Sequence, residues 1–255
     1  MNMVEIKILS KENQELPKMI EALDSYQRSL YPEESNHLDS LEVLFEENNQ
    51  VLGAFLDDKL VGIGAAKTVS DFGELKRFYV IDSYRGQGIA ECVLSVLERW
   101  LVLKGIRCVQ LETGIYQNAA IKFYEKMGFE LTKPFGAYKP DPLSIFMKKN
   151  LTCIGALKDE RNFYVVVFCS VLKKRSDEYQ ILSEKMMSLV AIQPGFLGAV
   201  SGRNEKGFGS TSSFWQNKTA IAQWKENLEH TKAQQLGREV FYSRYKTYFS
   251  SVVND

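Results

Sequence analysis

The stretch Tyr79-Val80-Ile81-Asp82-Ser83-Tyr84-Arg85-Gly86-Gln87-Gly88-Ile89-Ala90 constrains this chain more than any other. An apolar run ends there, a short basic turn with two glycines follows, and a long amphipathic pattern begins. A strand, a glycine turn and a helix start in that order build an anion site. Glycine lets the backbone curl so that several N–H groups point the same way, and the helix start adds partial positive charge. Glycine geometry alone does not say which phosphate ligand is held.

The rest of the chain supplies no general attraction for anions. Lys and Arg number 32, Asp and Glu number 32, and the formal net charge is zero. Nucleic acid and anionic membranes are therefore not expected partners, and any anion site is local. At 255 residues with 45% hydrophobic content, one or two ordinary globular domains are expected. Met1 to Ser10 alternates polar and apolar residues, and no apolar run approaches the roughly 20 residues of a membrane span. The expected location is cytoplasmic. Cys92, Cys108, Cys153 and Cys169 form no CxxC pair and have apolar neighbours, which predicts buried free thiols in a reducing compartment. With only His37 and His230 present, no His/Cys metal site is expected.

Periodicity orders the chain. Met3 to Leu9 alternates as an edge strand, and Glu15 to Leu30 has helical spacing that Pro32 ends. Strands are predicted over Gln50–Leu56, Leu60–Val69 and Glu74–Ile81, with turns at Asp57-Asp58-Lys59 and Asp71-Phe72-Gly73. From Gly86 to Lys104, Ala90, Val93, Leu94, Leu97 and Leu101 form one helical stripe that Gly105 stops. Arg107 to Glu112 then reads as a parallel strand, completing a βαβ unit. A helix over Asn118–Met127 and strands over Phe129–Thr132 and Leu143–Lys149 follow.

A second unit repeats none of this. It reads as strand Tyr164–Val171, helix Asp177–Val190, strands Gly195–Ser201 and Thr211–Trp215, helix Lys218–Gln235 and strand Tyr245–Val253. That βαββαβ order is ferredoxin-like. The expected fold class is thus α+β and α/β: a mixed-sheet domain over residues 1–151, a linker over 152–161, and a ferredoxin-like domain over 162–255.

Arg85-Gly86-Gln87-Gly88-Ile89-Ala90 matches the R/Q-x-x-G-x-G/A motif of the GNAT superfamily of acyl-CoA N-acyltransferases. Downstream, Asn118-Ala119-Ala120-Ile121-Lys122-Phe123-Tyr124-Glu125-Lys126-Met127-Gly128-Phe129 resembles that family's second cofactor element. The resemblance covers Met1 to about Leu151 and implies acetyl-CoA as cosubstrate. It also implies that Val80 and Ile81 offer free backbone groups to the pantetheine arm, in the manner of an added strand. The amides of Arg85, Gly86, Gln87, Gly88, Ile89 and Ala90 would hold the pyrophosphate. Asn118 would help position the cofactor, and Tyr124 would face the thioester sulfur.

Chemistry adds roles. The attacking amine must be neutral, yet a free amine with a pKa of roughly 8–10 is mostly protonated at neutral pH, so a base is needed. Glu112, at the end of the βαβ strand, is the first candidate and Glu74 the second. The backbone N–H of Val80 would steady the developing oxyanion, and Tyr124 would protonate the leaving thiolate. The early loop Tyr31-Pro32 through Ser35 and His37 resembles a GNAT subgroup acting on small polar amines. Tyr31 would line the acceptor site, and Lys76, Arg77 and His37 would clamp a substrate carboxylate.

In the second unit, Gln193-Pro194-Gly195-Phe196-Leu197-Gly198, Ser213-Phe214-Trp215 and Ala220-Ile221-Ala222-Gln223-Trp224-Lys225 resemble the antibiotic-biosynthesis-monooxygenase (ABM) family. That family pairs ferredoxin-like sheets into dimeric barrels, so a homodimer is expected. Some members oxidise phenols without cofactor and some degrade haem, which leaves a bifunctional protein as the alternative. Haem-degrading members carry a histidine about ten residues after a tryptophan; Gln234 stands there after Trp224, and His230 is nearer. Trp215, Trp224, His230 and Arg238 are the candidate lining of a pocket.

Overall fold

The computed structural model describes residues 4–35, 39–152 and 162–253. They form two compact units, the first ending at Leu151 and the second beginning at Thr152. His37, Cys153 and most of the expected linker lie outside the described residues.

The first unit runs β1 (Glu5–Ile8), α1 (Leu16–Leu30), α2 (Leu41–Leu44), β2 (Asn49–Leu56), β3 (Lys59–Val69) and β4 (Phe72–Val80). It continues with α3 (Ile89–Leu103), β5 (Cys108–Gly114), α4 (Asn118–Lys126), β6 (Glu130–Thr132) and β7 (Ser144–Asn150). The seven strands make one sheet in the order β1-β2-β3-β4-β5-β7-β6. Among the described residues, only β4 and β5 pair in parallel, as the α3 crossover requires.

Helix spacing assigns the two faces. Leu16, Met19, Ile20 and Leu23 turn inward from α1 at i, i+3, i+4 and i+7. Leu16, Met19 and Ile20, with Leu44 of α2, pack on Phe55, Ile63 and Ala65, and Tyr79 and Ile81 join the same cluster. Glu15 fixes the start of α1 by accepting the Leu60 N–H at 2.8 Å. The opposite face belongs to α3. Its buried stripe is Ile89, Val93, Leu94, Val96, Leu97, Trp100 and Leu101, wider than the pattern predicted, with Ala90 only partly buried.

One irregularity shapes the middle of the sheet. Tyr79 pairs with Ile63, but Lys76 pairs with Ala65, so β4 carries one residue more than β3. Arg77 takes φ 54° at this bulge. The extra residue reverses the side-chain alternation. Glu74 and Lys76 face α1 and α2, whereas Phe78 turns to the α3 side, against the position a Cβ on Gly64 would take. Beyond the pairs Gly73–Val109 and Glu74–Gln110, β4 and β5 have no further register partners, and they part toward Val80 and Gly114.

The second unit runs β8 (Asn162–Leu172), α5 (Asp177–Ala191), β9 (Phe196–Arg203), β10 (Phe208–Trp215), α6 (Lys218–Glu226), α7 (Leu228–Leu236) and β11 (Tyr242–Val253). Its sheet is antiparallel in the order β11-β8-β10-β9. Phe196, Ala199, Trp215 and Ala220 form the core, with Tyr164, Val166, Val190, Ile221 and Trp224 against them. Register places Val165, Val167, Val200 and Tyr248 on the other face of the sheet.

Three expectations are corrected. The single helix over Lys218–Gln235 is two helices, because Asn227 leaves helical geometry and caps α7, its Oδ1 accepting the N–H groups of Glu229 at 3.1 Å and His230 at 3.2 Å. The last strand begins at Tyr242, after a five-residue π turn over Gly237–Phe241. The cysteines are not all buried: Cys92 is exposed, and Cys108 and Cys169 are partly so. Cys92 lies off the inward stripe of α3, between Glu91 and Val93. Among the described residues, no helix is long and apolar enough to cross a membrane.

Removing the Asn227 cap with Asn227→Ala should cost about 1 kcal/mol, read as a lower urea midpoint. An unchanged midpoint would show that the helix break does not depend on this side chain.

Candidate active site

The glycine turn joins β4 to α3. A short 3-10 turn over Asp82–Tyr84 follows β4, and the Arg85 N–H donates to the Asp82 carbonyl at 3.2 Å. The Arg85 side chain braces the turn, donating from Nε to the Val80 carbonyl at 3.0 Å and pairing with Asp82 at 2.7 Å. Gly86 and Gly88 take φ +75° and +78°, the left-handed region that favours glycine. A Cβ built on either meets nothing within 4 Å, so the space beside the turn is open. The first α3 hydrogen bond runs from the Cys92 N–H to the Gly88 carbonyl at 3.0 Å, leaving the preceding amides without a helical acceptor. These amides and the open cradle fit a phosphate group.

Ahead of the turn, strand alternation decides which backbone groups are available. The Ile81 N–H donates to the Val61 carbonyl at 3.0 Å, and the Ile81 carbonyl accepts the Tyr84 N–H at 2.9 Å. Ile81 is therefore engaged, contrary to expectation. Gly62–Val80 is the next pair, and alternation turns the Val80 N–H away from β3, into the gap that β5 leaves. The Val80 carbonyl is already taken by Arg85.

From the α3 side, α4 brings Tyr124 against Phe78. Its ring also packs on Phe123 and Phe129, with centroids 6.2, 5.2 and 5.4 Å away in that order. Only 6% of Tyr124 is exposed. Burial pushes its pKa up, so the phenol stays protonated. Asn118 opens α4 and is exposed, one residue after Gln117, whose Oε1 accepts the Thr113 hydroxyl at 2.6 Å.

The α1 face carries a connected polar network. Tyr138 donates its hydroxyl to Glu74 Oε1 at 2.6 Å and accepts from Lys76 Nζ at 2.8 Å. Lys76 lies 3.4 Å from Glu74 and 3.8 Å from Asp39, and Lys67 pairs with Asp39 at 3.0 Å. Burial, and then the Glu74 charge, push the Tyr138 pKa up. Arg77 pairs with Asp24 and donates to the Asp39 carbonyl. Lys76 and Arg77 are thus matched inside the protein rather than held out for a ligand. Glu112 accepts the Ser144 hydroxyl at 2.6 Å. Tyr31 packs over Gly114, where a Cβ would fall 2.1 Å from its hydroxyl, and that hydroxyl accepts the Tyr116 N–H at 2.9 Å. Burial also raises the Tyr31 pKa.

Of the predicted residues, Glu74, Glu112, Lys76, Arg77 and Tyr31 thus come together on one face, and Tyr124 packs on Phe78 on the other. Sequence reasoning missed Tyr138 and Asp39. Tyr138 contacts Glu74 across 64 positions, and only its place three residues after Phe135 in a proline-rich loop hinted at a packed role.

In the second unit, Trp215 is 1% exposed and donates its ring N–H to Ser213 at 3.0 Å, so it is core rather than a pocket wall. His230 stacks on Trp224 with centroids 4.3 Å apart. The 2.8 Å contact with the Trp224 carbonyl makes Nδ1 the protonated nitrogen, because a carbonyl only accepts. Nε2 then accepts from Gln234 at 3.3 Å. Burial lowers the His230 pKa. Both ring nitrogens are engaged within the protein.

Comparison with known proteins identifies the first unit. The model of the acetyltransferase (GNAT) family matches residues 16–129. The IAA acetyltransferase of Azospirillum brasilense is 42% identical over 136 residues, spanning 52% of this chain and 89% of that protein. The chain belongs to the GNAT family. An uncharacterised Bacillus subtilis N-acetyltransferase, YsnE, is 35% identical over 123 residues, spanning 47% of this chain and 82% of that protein. Among solved structures, a Klebsiella pneumoniae protein assigned as an acyl-CoA N-acyltransferase superposes with a TM-score of 0.53 at 34% identity, covering 59% of this chain and 99% of that one. This GNAT protein is an acyltransferase that moves an acetyl group from acetyl-CoA to an amine.

Gly114→Ala would drive a methyl into the Tyr31 ring, and overpacking of this kind costs about 1–3 kcal/mol. The variant should unfold at a lower temperature than the wild type; equal midpoints would mean that Tyr31 is not seated on Gly114.

Proposed function

We propose that this enzyme acetylates a small amine in the gap between β4 and β5. The observation that carries the reading is Tyr124: a buried, protonated phenol packed on Phe78, on the strand whose Val80 N–H turns away from β3. On this reading the amides from Gly86 to Ala90 hold the pyrophosphate; Arg85 braces the turn because its own amide is engaged. Asn118 lies at the cofactor side, and Val80 steadies the oxyanion. Tyr124 delivers a proton to the departing sulfur.

The base faces the gap from the α1 side. Glu112 remains the first choice, at the end of β5, and Glu74 the second, since its Oε1 already takes the Tyr138 hydroxyl. Tyr31 lines the acceptor side, and the expected role of His37 falls outside the described residues. Lys76 and Arg77 act through Glu74, Asp39 and Asp24, setting the charge of the face rather than clamping a carboxylate.

Tyr124→Phe should lower kcat by about 10²–10⁴-fold while acetyl-CoA affinity by calorimetry stays the same. A wild-type kcat would remove Tyr124 from the reaction.

We further infer that residues 162–255 form a ferredoxin-like domain of the ABM type, joined through 152–161 to the acetyltransferase domain of 1–151, and that it serves for dimerisation or ligand binding. The βαββαβ order and the β11-β8-β10-β9 sheet support the fold. The sheet face opposite the core, with Val165, Val167, Val200 and Tyr248, supports pairing with a second copy; Val200 is 47% and Tyr248 51% exposed. Sedimentation should give twice the 29.1 kDa chain mass, and the double variant Val200→Lys, Tyr248→Glu should halve it. A monomeric wild type would sink the dimer.

A further inference from the structure

Helix α1 carries a polar residue where its apolar stripe would continue. Leu16, Met19, Ile20 and Leu23 face inward, and the next position of that stripe, four residues on, is Gln27. Its Oε1 is buried and has no hydrogen-bond partner among the described residues. A buried carbonyl oxygen that accepts nothing is costly, whereas an apolar side chain of similar shape carries no such penalty. Gln27 thus weakens the fold it sits in.

Its neighbours on α1 locate it. Residues three and four apart share a helix face. Three positions before Gln27, Asp24 pairs with Arg77 at the β4 bulge. Four positions after it, Tyr31 rests over Gly114 at the end of β5, and the Tyr31 N–H still closes the last helical turn on the Gln27 carbonyl at 3.0 Å. Gln27 therefore stands between a contact to β4 and a contact to β5, strands that have no register pair beyond Glu74–Gln110. Glu112 is near the same place: burial raises the Tyr31 pKa, and the Glu112 charge adds to the rise. A carboxylate that can take a proton and an amide oxygen that only accepts hydrogen bonds share this face.

We propose that Gln27 positions the acceptor nitrogen, its Oε1 accepting one N–H of the incoming amine while a carboxylate of the same face takes a proton from it. The proposal rests on the acetyl-transfer reading above and adds to it a residue that aims the attacking lone pair. An ammonium offers three N–H groups and the neutral amine two, so base and amide are served together, and two held directions fix the third. An alcohol has one O–H. Once the base has it, the amide oxygen faces a lone pair, so the pairing selects nitrogen over oxygen. The transfer balances without a further reactant. The nitrogen bonds to the acetyl carbonyl carbon, the carbon–sulfur bond breaks, one proton leaves the nitrogen and one arrives at the sulfur.

The test uses the full chain with Gln27→Met and Gln27→Leu, which fill similar space without an orphan oxygen. Ligand-free, both should unfold at a higher urea concentration than the wild type. Thiol release from acetyl-CoA is then followed with butylamine, whose only polar group is its nitrogen. Its kcat/KM should fall at least about tenfold in both variants, while acetyl-CoA affinity by calorimetry stays the same. A residue with a structural role alone would lose stability and turnover together. The proposal is overturned if neither variant gains stability, or if either uses butylamine as well as the wild type does. A fall in acetyl-CoA affinity also overturns it, because the donor would then be a pantetheine amide. Since Gln27 and the base read the nitrogen alone, a wild type that binds acetyl-CoA and leaves butylamine untouched sinks the role of Gln27, whereas no acetyl-CoA binding sinks the acetyl-transfer reading beneath it.

Discussion

The bulge at Arg77 is the constraint on which the site depends. A strand without it would carry Glu74, Lys76, Phe78 and Val80 on one face. With it, Glu74 and Lys76 join the α1 side, and Phe78 turns to meet Tyr124. An arginine at positive φ is strained. Its guanidinium is held by Asp24 from α1 and by the Asp39 carbonyl ahead of α2. Two helices thereby lock the irregular residue that sends Glu74 and Phe78 to opposite faces of the sheet.

Parting of β4 and β5 does the complementary work. Two register pairs are enough to order the strands, and the separation beyond them leaves the Val80 amide without a strand partner. A fully paired sheet would have closed that position to ligands. The glycine turn then lies directly after the opened strand, which sets its free amides next to the Val80 N–H.

Much of this was legible in the chain, for physical reasons. Strands and helices of the first unit carry strong periodicity, and Gly105 and Gly128 mark helix ends with left-handed backbone. The glycine turn and Tyr124 sit in local patterns, so local reading finds them. What was not legible depends on distant partners. Nothing within β4 announces that Lys76 and Arg77 face inward, because Asp24, Asp39 and Tyr138 come from remote segments. The engagement of Ile81 by Val61 likewise follows from register, which a single strand does not encode. In the second unit, Asn227 read as one polar residue within a helical pattern, yet its side chain satisfies two amides of the following helix and stops the one before it.

The sheet order has an evolutionary corollary. The glycine turn sits between β4 and α3, whereas the proline-rich β6–β7 connection joins the strand pair that ends the sheet. Insertions, deletions or exchanges in that connection leave the turn, the bulge and the Val80 amide in place. A lineage built on this scaffold is free to rewrite one peripheral loop without disturbing the frame around the turn.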